Sequence, residues 1–164
     1  IAYCKVYYPL AYYAAFFSIR ATSFNYELMC RGQEVLEGYM KEYITKDDVS
    51  NSGEATYKDM RLVQEMYARG FEFLPIDLYQ SDARYFKIVD GKLLPPFNTI
   101  PNMGDKAAES LQIAAKERKF LSKDDLRQRG KISKTNIEDM ERLGIIRGLP
   151  ESNQLSLFDF GLGD

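Results

Sequence analysis

The chain has 164 residues, 45% of them hydrophobic and 28% charged, enough for one ordinary globular core or two small ones sharing an interface. It contains no histidine, which excludes Ser-His-Asp and Cys-His nucleophile pairs, imidazole metal sites and an imidazole general base. The net charge of −2 is unevenly spread: residues 1–95 carry 11 Lys/Arg and 13 Asp/Glu, residues 96–149 carry 11 and 8, and residues 150–164 carry three acids and no base, so a basic module lies between a mildly acidic body and an acidic tail.

The chain opens on Ile1 rather than Met, which fits a fragment or a processed piece. Cys4 and Cys30 match no metal spacing and point to a reducing compartment, so a cytoplasmic location is expected. Pro9 suits the first turn of a helix running to Ile19. On it, Tyr12 and Phe16, and Tyr13 and Phe17, are i,i+4 pairs. Such aromatics are more often core than ligand-stacking groups, although a role near nucleotide, with Arg20 close to phosphate, is the functional alternative. Ala11–Ile19 is too short to span a bilayer, which takes roughly 18 apolar residues, and it lacks secretory flanks, so no membrane association is expected.

A second helix is predicted near Phe24–Glu27 and a third over Gln33–Tyr43, with Val35, Leu36, Tyr39, Met40 and Tyr43 at helical spacing. Thr45–Ala55 reads as a polar loop around Ser50-Asn51-Ser52-Gly53. Tyr57–Ala68 returns to helical spacing through Met60, Val63 and Tyr67, with Gly70 as its stop. Phe71, Phe73, Ile76 and Leu78 suit a strand interrupted by Pro75. Tyr85–Val89, Asp90-Gly91 and Leu93-Leu94 read as a hairpin with a two-residue turn, and Pro95-Pro96 marks a soft boundary. Three short helices follow: one from Gly104 to about Arg118, one from Ser122 with a capping-box pattern to Asp125, and one from Ser133 with Ile137, Met140 and Leu143 on its apolar face.

Ile100-Pro101-Asn102-Met103-Gly104 is the informative segment. Its form is apolar-Pro-x-apolar-Gly, and it opens directly into a helix that begins Asp105-Lys106-Ala107-Ala108. Gly104 permits a tight path and close approach of another backbone. The unpaired amides of the first helical turn, beside Lys106, make an anion site. This pattern resembles the helix-hairpin-helix motif of DNA polymerases, ligases and repair proteins. A weaker second copy is read at Glu138–Gly148, with Gly144 in the glycine position. Between them the basic stretch Lys116–Lys134 includes Lys116, Lys119, Lys131 and Lys134. Phosphate contacts of this kind position duplex DNA without reading its sequence. The bland alternatives are a helix-start turn and a solvated charged face.

In the tail, Gln154-Leu155-Ser156-Leu157-Phe158 places apolar side chains in a polar setting that needs a partner groove. The five residues resemble the pentapeptide that binds the bacterial sliding clamp, the beta subunit. By that likeness Gln154 takes a polar subsite, Leu157 and Phe158 fill an apolar cleft, and Leu155 packs beside them. Folding back as a terminal strand is the alternative.

Taken in order, these motifs resemble the C-terminal region of the PolC-type alpha subunits of bacterial DNA polymerase III. The likeness runs through Tyr8–Arg20, Val63–Met66, Ala68–Phe71, Asp77–Tyr79, Ser81–Ala83, Leu94–Asn98, Phe120–Leu126, Arg129–Lys131 and the Gln-Leu-Ser-Leu-Phe tail. It implies a mainly α fold with a small β-hairpin. Residues 1–95 would be the end of the fingers and a connecting region, 96–149 a tandem helix-hairpin-helix domain, and 150–164 a flexible tail with the clamp motif. It further implies a monomer within a replisome. The magnesium of nucleotidyl transfer would be held in a palm that these residues do not include, leaving no cofactor and no catalysis in this fragment alone. The rivals are a stand-alone, non-catalytic adaptor that recruits the clamp, and a nuclease using Asp47-Asp48 and Asp124-Asp125.

Overall fold

The computed structural model describes residues 1–21, 24–45 and 51–152, with side chains from residue 56 on in the last stretch. Among them the chain is mainly α-helical with one small β-hairpin, as the periodicity predicts. In order come α1 (Ala2–Tyr7), α2 (Pro9–Ile19), α3 (Tyr26–Met29), α4 (Gln33–Thr45), α5 (Asn51–Ala68), β1 (Lys87–Val89) and β2 (Lys92–Leu94). A 3-10 turn (Phe97–Thr99), α6 (Asp105–Glu117), α7 (Lys123–Gly130) and α8 (Lys134–Arg142) follow. Among the described residues no helix is long and apolar enough to cross a membrane.

Local chemistry sets the element ends. Pro9 occupies the first turn of α2, where its missing N–H costs nothing. Asn25 caps α3 by accepting from the amides of Glu27 (3.0 Å) and Leu28 (3.3 Å). After α5, Gly70 turns left-handed at φ 86°. Its amide donates to the Tyr67 carbonyl (2.9 Å) and the Phe71 amide to Met66 (3.2 Å), which consumes carbonyls that the helix end would otherwise leave open. In the β-hairpin, Asp90 (φ 51°) and Gly91 (φ 73°) form the two-residue turn, and Val89 pairs with Lys92, the geometry that matches strand twist.

Two sequence expectations do not hold. Asn51-Ser52-Gly53 lies in the first turn of α5 rather than in a loop; short polar residues serve loops and helix starts alike, so composition does not separate the two. No strand forms over residues 71–78. Phe73 makes one parallel bridge to Leu93, and Asp77 then folds the chain by accepting from the amides of Tyr79 (2.8 Å) and Gln80 (3.0 Å). The alternation arises because neighbouring apolar residues serve different cores: Phe73 packs against one cluster, Ile76 and Leu78 belong to the other.

The first of those clusters is aromatic and lies between α2, α4, α5 and the hairpin, with Phe17 fully buried among Tyr13, Phe24, Phe73 and Phe86. The second joins Ile100, Met103, Leu111, Leu126, Ile137 and Met140. It also takes in Tyr26, Ile76, Leu78 and Ala83, so the helices after residue 95 fold onto side chains that precede it. Arg20 pairs with the buried Asp59 (3.1 Å) and lies over the Phe16 ring. The α2 aromatics are thus part of the packing, as their spacing favours, and Arg20 is part of it too.

Gln112 on α6 ties the two regions together. Its side chain accepts from the Ala83 amide (3.1 Å) and donates to the Asp82 carboxylate (2.9 Å). Burial pushes the Asp82 carboxyl up, but the Arg84 amide, Gln112, the Tyr85 amide and the Lys87 charge together outweigh it and hold it below its ordinary value. A lowered folded pKa adds stability that is complete above the ordinary carboxylate range and is lost as pH falls below about 4. Asp82→Asn should therefore flatten the acid side of the stability curve, read as urea midpoints at pH 6 and about pH 3.5; an unchanged acid slope would remove Asp82 from that role.

Candidate nucleic-acid interface

Residues 100–104 form a tight turn anchored at both ends. Ile100 and Met103 are buried in the second cluster, and the Met103 amide donates to the Ile100 carbonyl (3.2 Å). Pro101 presets the first corner, and Asn102, at φ 61°, supplies the left-handed second corner of a type II turn. The apolar-Pro-x-apolar-Gly spacing is thus a turn with two hydrophobic feet, and it delivers Gly104 to solvent at the start of α6.

Gly104 is the N-cap of α6 at φ −77° and ψ 166°, a conformation open to any residue. A Cβ built on it would meet no protein atom within 4 Å. Neither strain nor internal packing therefore calls for glycine, contrary to the tight backbone path expected from sequence. What glycine does is leave α6 without a side-chain cap. The amides of Asp105, Lys106 and Ala107 have no acceptor among the described residues, since the first bond of the helix runs from the Ala108 amide back to Gly104.

The other two helix starts differ. On α7 every first-turn amide is filled: Lys123 donates to the Pro150 carbonyl (2.8 Å), Asp124 to Glu151 (3.1 Å) and Asp125 to Ser122 Oγ (3.0 Å). The Asp125 carboxylate does not complete a box with Ser122. It accepts from the Leu121 amide and pairs with Arg129 and Arg118. On α8, Ser133 and Asn136 form a full capping box, leaving the Lys134 and Thr135 amides without an acceptor among the described residues. The Asn136 side chain, buried at 4% exposure, also donates to the Asn102 carbonyl (3.0 Å), and Asn102 Nδ2 donates to Asp139 (3.2 Å). The open starts of α6 and α8 are thereby held side by side.

These contacts sort the residues expected to bind DNA. Lys106 is exposed beside the α6 start and has no ion-pair partner among the described residues. Lys131, left-handed at φ 52°, and Lys134 are exposed at the α8 start, where Lys134 is 3.9 Å from Glu138. Lys116 lies in the last turn of α6 and Lys119 just past its end, over the Tyr79 ring. Ten helical residues, about 15 Å at 1.5 Å per residue, separate Lys106 from Lys116. Arg129 is structural, donating to the Ala114 carbonyl (2.7 Å) and covering the Phe120 ring. Asn102 and Asn136 escaped the sequence reading, and only the Ser-x-x-Asn spacing at Ser133 hinted at the second.

The Glu138–Gly148 segment is built differently from the first hairpin. Gly144 (φ 77°) closes the C-terminal end of α8, with its amide on Glu141 (3.0 Å) and the Ile145 amide on Met140 (2.9 Å). A Cβ there would sit 2.9 Å from Arg147 Nε. This glycine serves the protein's own backbone, at a helix end that presents carbonyls rather than amides, and no helix follows it through residue 152. The turn that does open into a second helix is Lys131-Ile132-Ser133, before α8. Among the described residues no group of three or more His, Cys, Asp or Glu could hold a metal ion, and Asp125 is committed to arginines. Asp47-Asp48 and the pentapeptide Gln154–Phe158 lie outside the described residues.

A family model described as "Helix-hairpin-helix motif" matches residues 70–155. Among curated relatives, a "DNA polymerase III PolC-type" of Listeria welshimeri is 45% identical over 159 residues, 96% of this chain and 11% of the relative. Proteins of the same description from Lactococcus lactis and Streptococcus pneumoniae are 45% and 43% identical, over 97% of this chain and 10% and 11% of their own lengths. The chain thus spans about a tenth of the length of the relatives it matches.

Proposed function

The chain belongs to the helix-hairpin-helix family, and on that footing we propose that it grips duplex DNA through phosphates, without reading sequence, as part of a PolC-type replicative polymerase. The observation that carries this reading is the uncapped α6 start behind the solvent-facing Gly104, set beside the half-open α8 start. Amides with no acceptor among the described residues, at the positive end of a helix dipole and next to Lys106, Lys131 and Lys134, suit phosphate oxygens and offer nothing that distinguishes bases. The identity to PolC-type relatives supports placing this grip in a DNA polymerase.

In that setting the contribution is positional. The turn and the two helix starts hold the duplex while nucleotidyl transfer, with its magnesium, takes place on other residues. Gln154–Phe158, read as a clamp ligand, would tether the same polypeptide to the sliding clamp. A dissociated duplex then remains at high local concentration, which is processivity in physical terms.

Lys106→Ala tests the phosphate grip. Duplex affinity should fall by a similar factor on unrelated sequences, and the slope of log K against log salt should shrink by about 1. An effect confined to one sequence, or an unchanged slope, would count against the reading.

A further inference from the structure

The segment Pro150–Glu151 is tied down more firmly than its polar composition suggests. Its two carbonyls take the first two amides of α7, at 2.8 and 3.1 Å. The Lys123 side chain, only 12% exposed, bridges Glu151 (2.5 Å) and Glu141 on α8 (2.7 Å). The hydrogen bonds to Glu141 and Glu151 raise the pKa of the ammonium, so it stays charged, and the positive end of the α7 dipole favours the nearby Glu151 carboxylate. Glu151 is therefore bonded twice to α7, and through Lys123 it is linked to Glu141 on α8, in the unit that carries the open α6 and α8 starts.

Gln154 follows Glu151 by three residues and Phe158 by seven. A chain reaches at most about 3.6 Å per residue, so whatever path they take, all five residues lie within roughly 25 Å of Glu151. We propose that Lys123 and the α7 N-terminus form an anchor that fixes where the 154–158 peptide originates, so that a clamp held by the peptide is set in place relative to the duplex held by α6 and α8. The proposal rests on reading 154–158 as a clamp ligand. Lys123 is then a positioning residue: it touches neither clamp nor DNA, and it sets the effective concentration of one when the other is bound.

The test compares the chain with Lys123→Ala, Glu151→Ala and the Leu157→Ala/Phe158→Ala double variant. Each is titrated against a purified bacterial sliding clamp alone, a short duplex alone, and the clamp loaded on duplex. Lys123→Ala and Glu151→Ala change the net charge in opposite directions but remove the same ion pair from the anchor. Both should keep the two single-partner affinities within about twofold of the parent and bind loaded clamp roughly three- to tenfold more weakly. Loaded-clamp affinities equal to the parent's would overturn the anchor. So would losses that differ in sign between the two variants, which is what net charge alone would give. So too would weaker duplex binding accompanied by a lower melting temperature, since that assigns Lys123 to holding α7 together. If the parent fails to bind clamp alone, or binds it as well after Leu157→Ala/Phe158→Ala, the peptide reading falls first and takes the anchor with it.

Discussion

Gly104→Asp should weaken duplex binding by about 10- to 100-fold while leaving the protein as stable as before or slightly more so. Two effects of the same carboxylate run in opposite directions. Aspartate is a favourable N-cap, and the conformation of Gly104 (φ −77°, ψ 166°, with open space where Cβ would go) accepts it without strain. It would take up first-turn amides of α6 that have no acceptor among the described residues, a gain of a few tenths of a kcal/mol over glycine. Those are the amides assigned to phosphate, so capping them removes a charge-assisted contact of about 1.5–3 kcal/mol and adds a like charge beside the DNA backbone. Gly104→Ser should cap without the added charge and lose less. Melting temperature and duplex affinity measured on the same preparation decide the matter. A stable variant that binds duplex as well as the parent would mean that phosphate does not approach Gly104.

Phe17→Ala should cost about 3–5 kcal/mol of stability, a large part of the roughly 5–15 kcal/mol that holds a typical domain. Phe17 is fully buried. Its ring centroid lies 5.2 Å from that of Phe24, 5.6 Å from Phe86, and 5.9 Å from both Tyr13 and Phe73. Those partners come from α2, the α3 approach, the segment after α5 and the residue before β1. Truncation therefore opens a void that no single segment can move to fill. Tyr12→Ala, on the half-buried side of the same helix, should cost about 1 kcal/mol, near the centre for ordinary substitutions. Urea midpoints give both values, and a Phe17→Ala loss below about 1.5 kcal/mol would show that the aromatic cluster closes over the gap.

Much of this architecture is legible in the residue order because local rules and packing agree. Pro9 and Gly70 bracket helices for reasons internal to one turn, Asp90-Gly91 dictates its hairpin, and Ile100, Pro101 and Met103 each do what their spacing predicts. The reading falls short where an interaction spans distance. Asn136 reaches a carbonyl 34 positions away, and residues 150–151 fill the α7 amides; neither leaves a periodic trace. Charge is ambiguous for the same reason, since Arg129 and Lys106 are alike as letters and only the folded chain turns one onto Phe120 and leaves the other exposed at the α6 start. Gly104 and Gly144 show the sharpest case. The first leaves open space and the second answers a left-handed backbone, two causes that one-letter spacing does not separate.

The side chain of Asn136 has a mechanical consequence. Its Oδ1 is held by Ser133 while its Nδ2 holds the carbonyl of Asn102, and an amide plane does not bend. The gap between the two open helix starts is therefore set by one rigid spacer with the hydrogen bonds at its two ends, and by that from Asn102 to Asp139, rather than by the compliance of a loop. The two starts behave as the jaws of a fixed-gauge tool. On the proposed phosphate grip, a nucleic-acid backbone whose phosphates match the gauge would be held at both jaws, and one that does not would distort or be held at one.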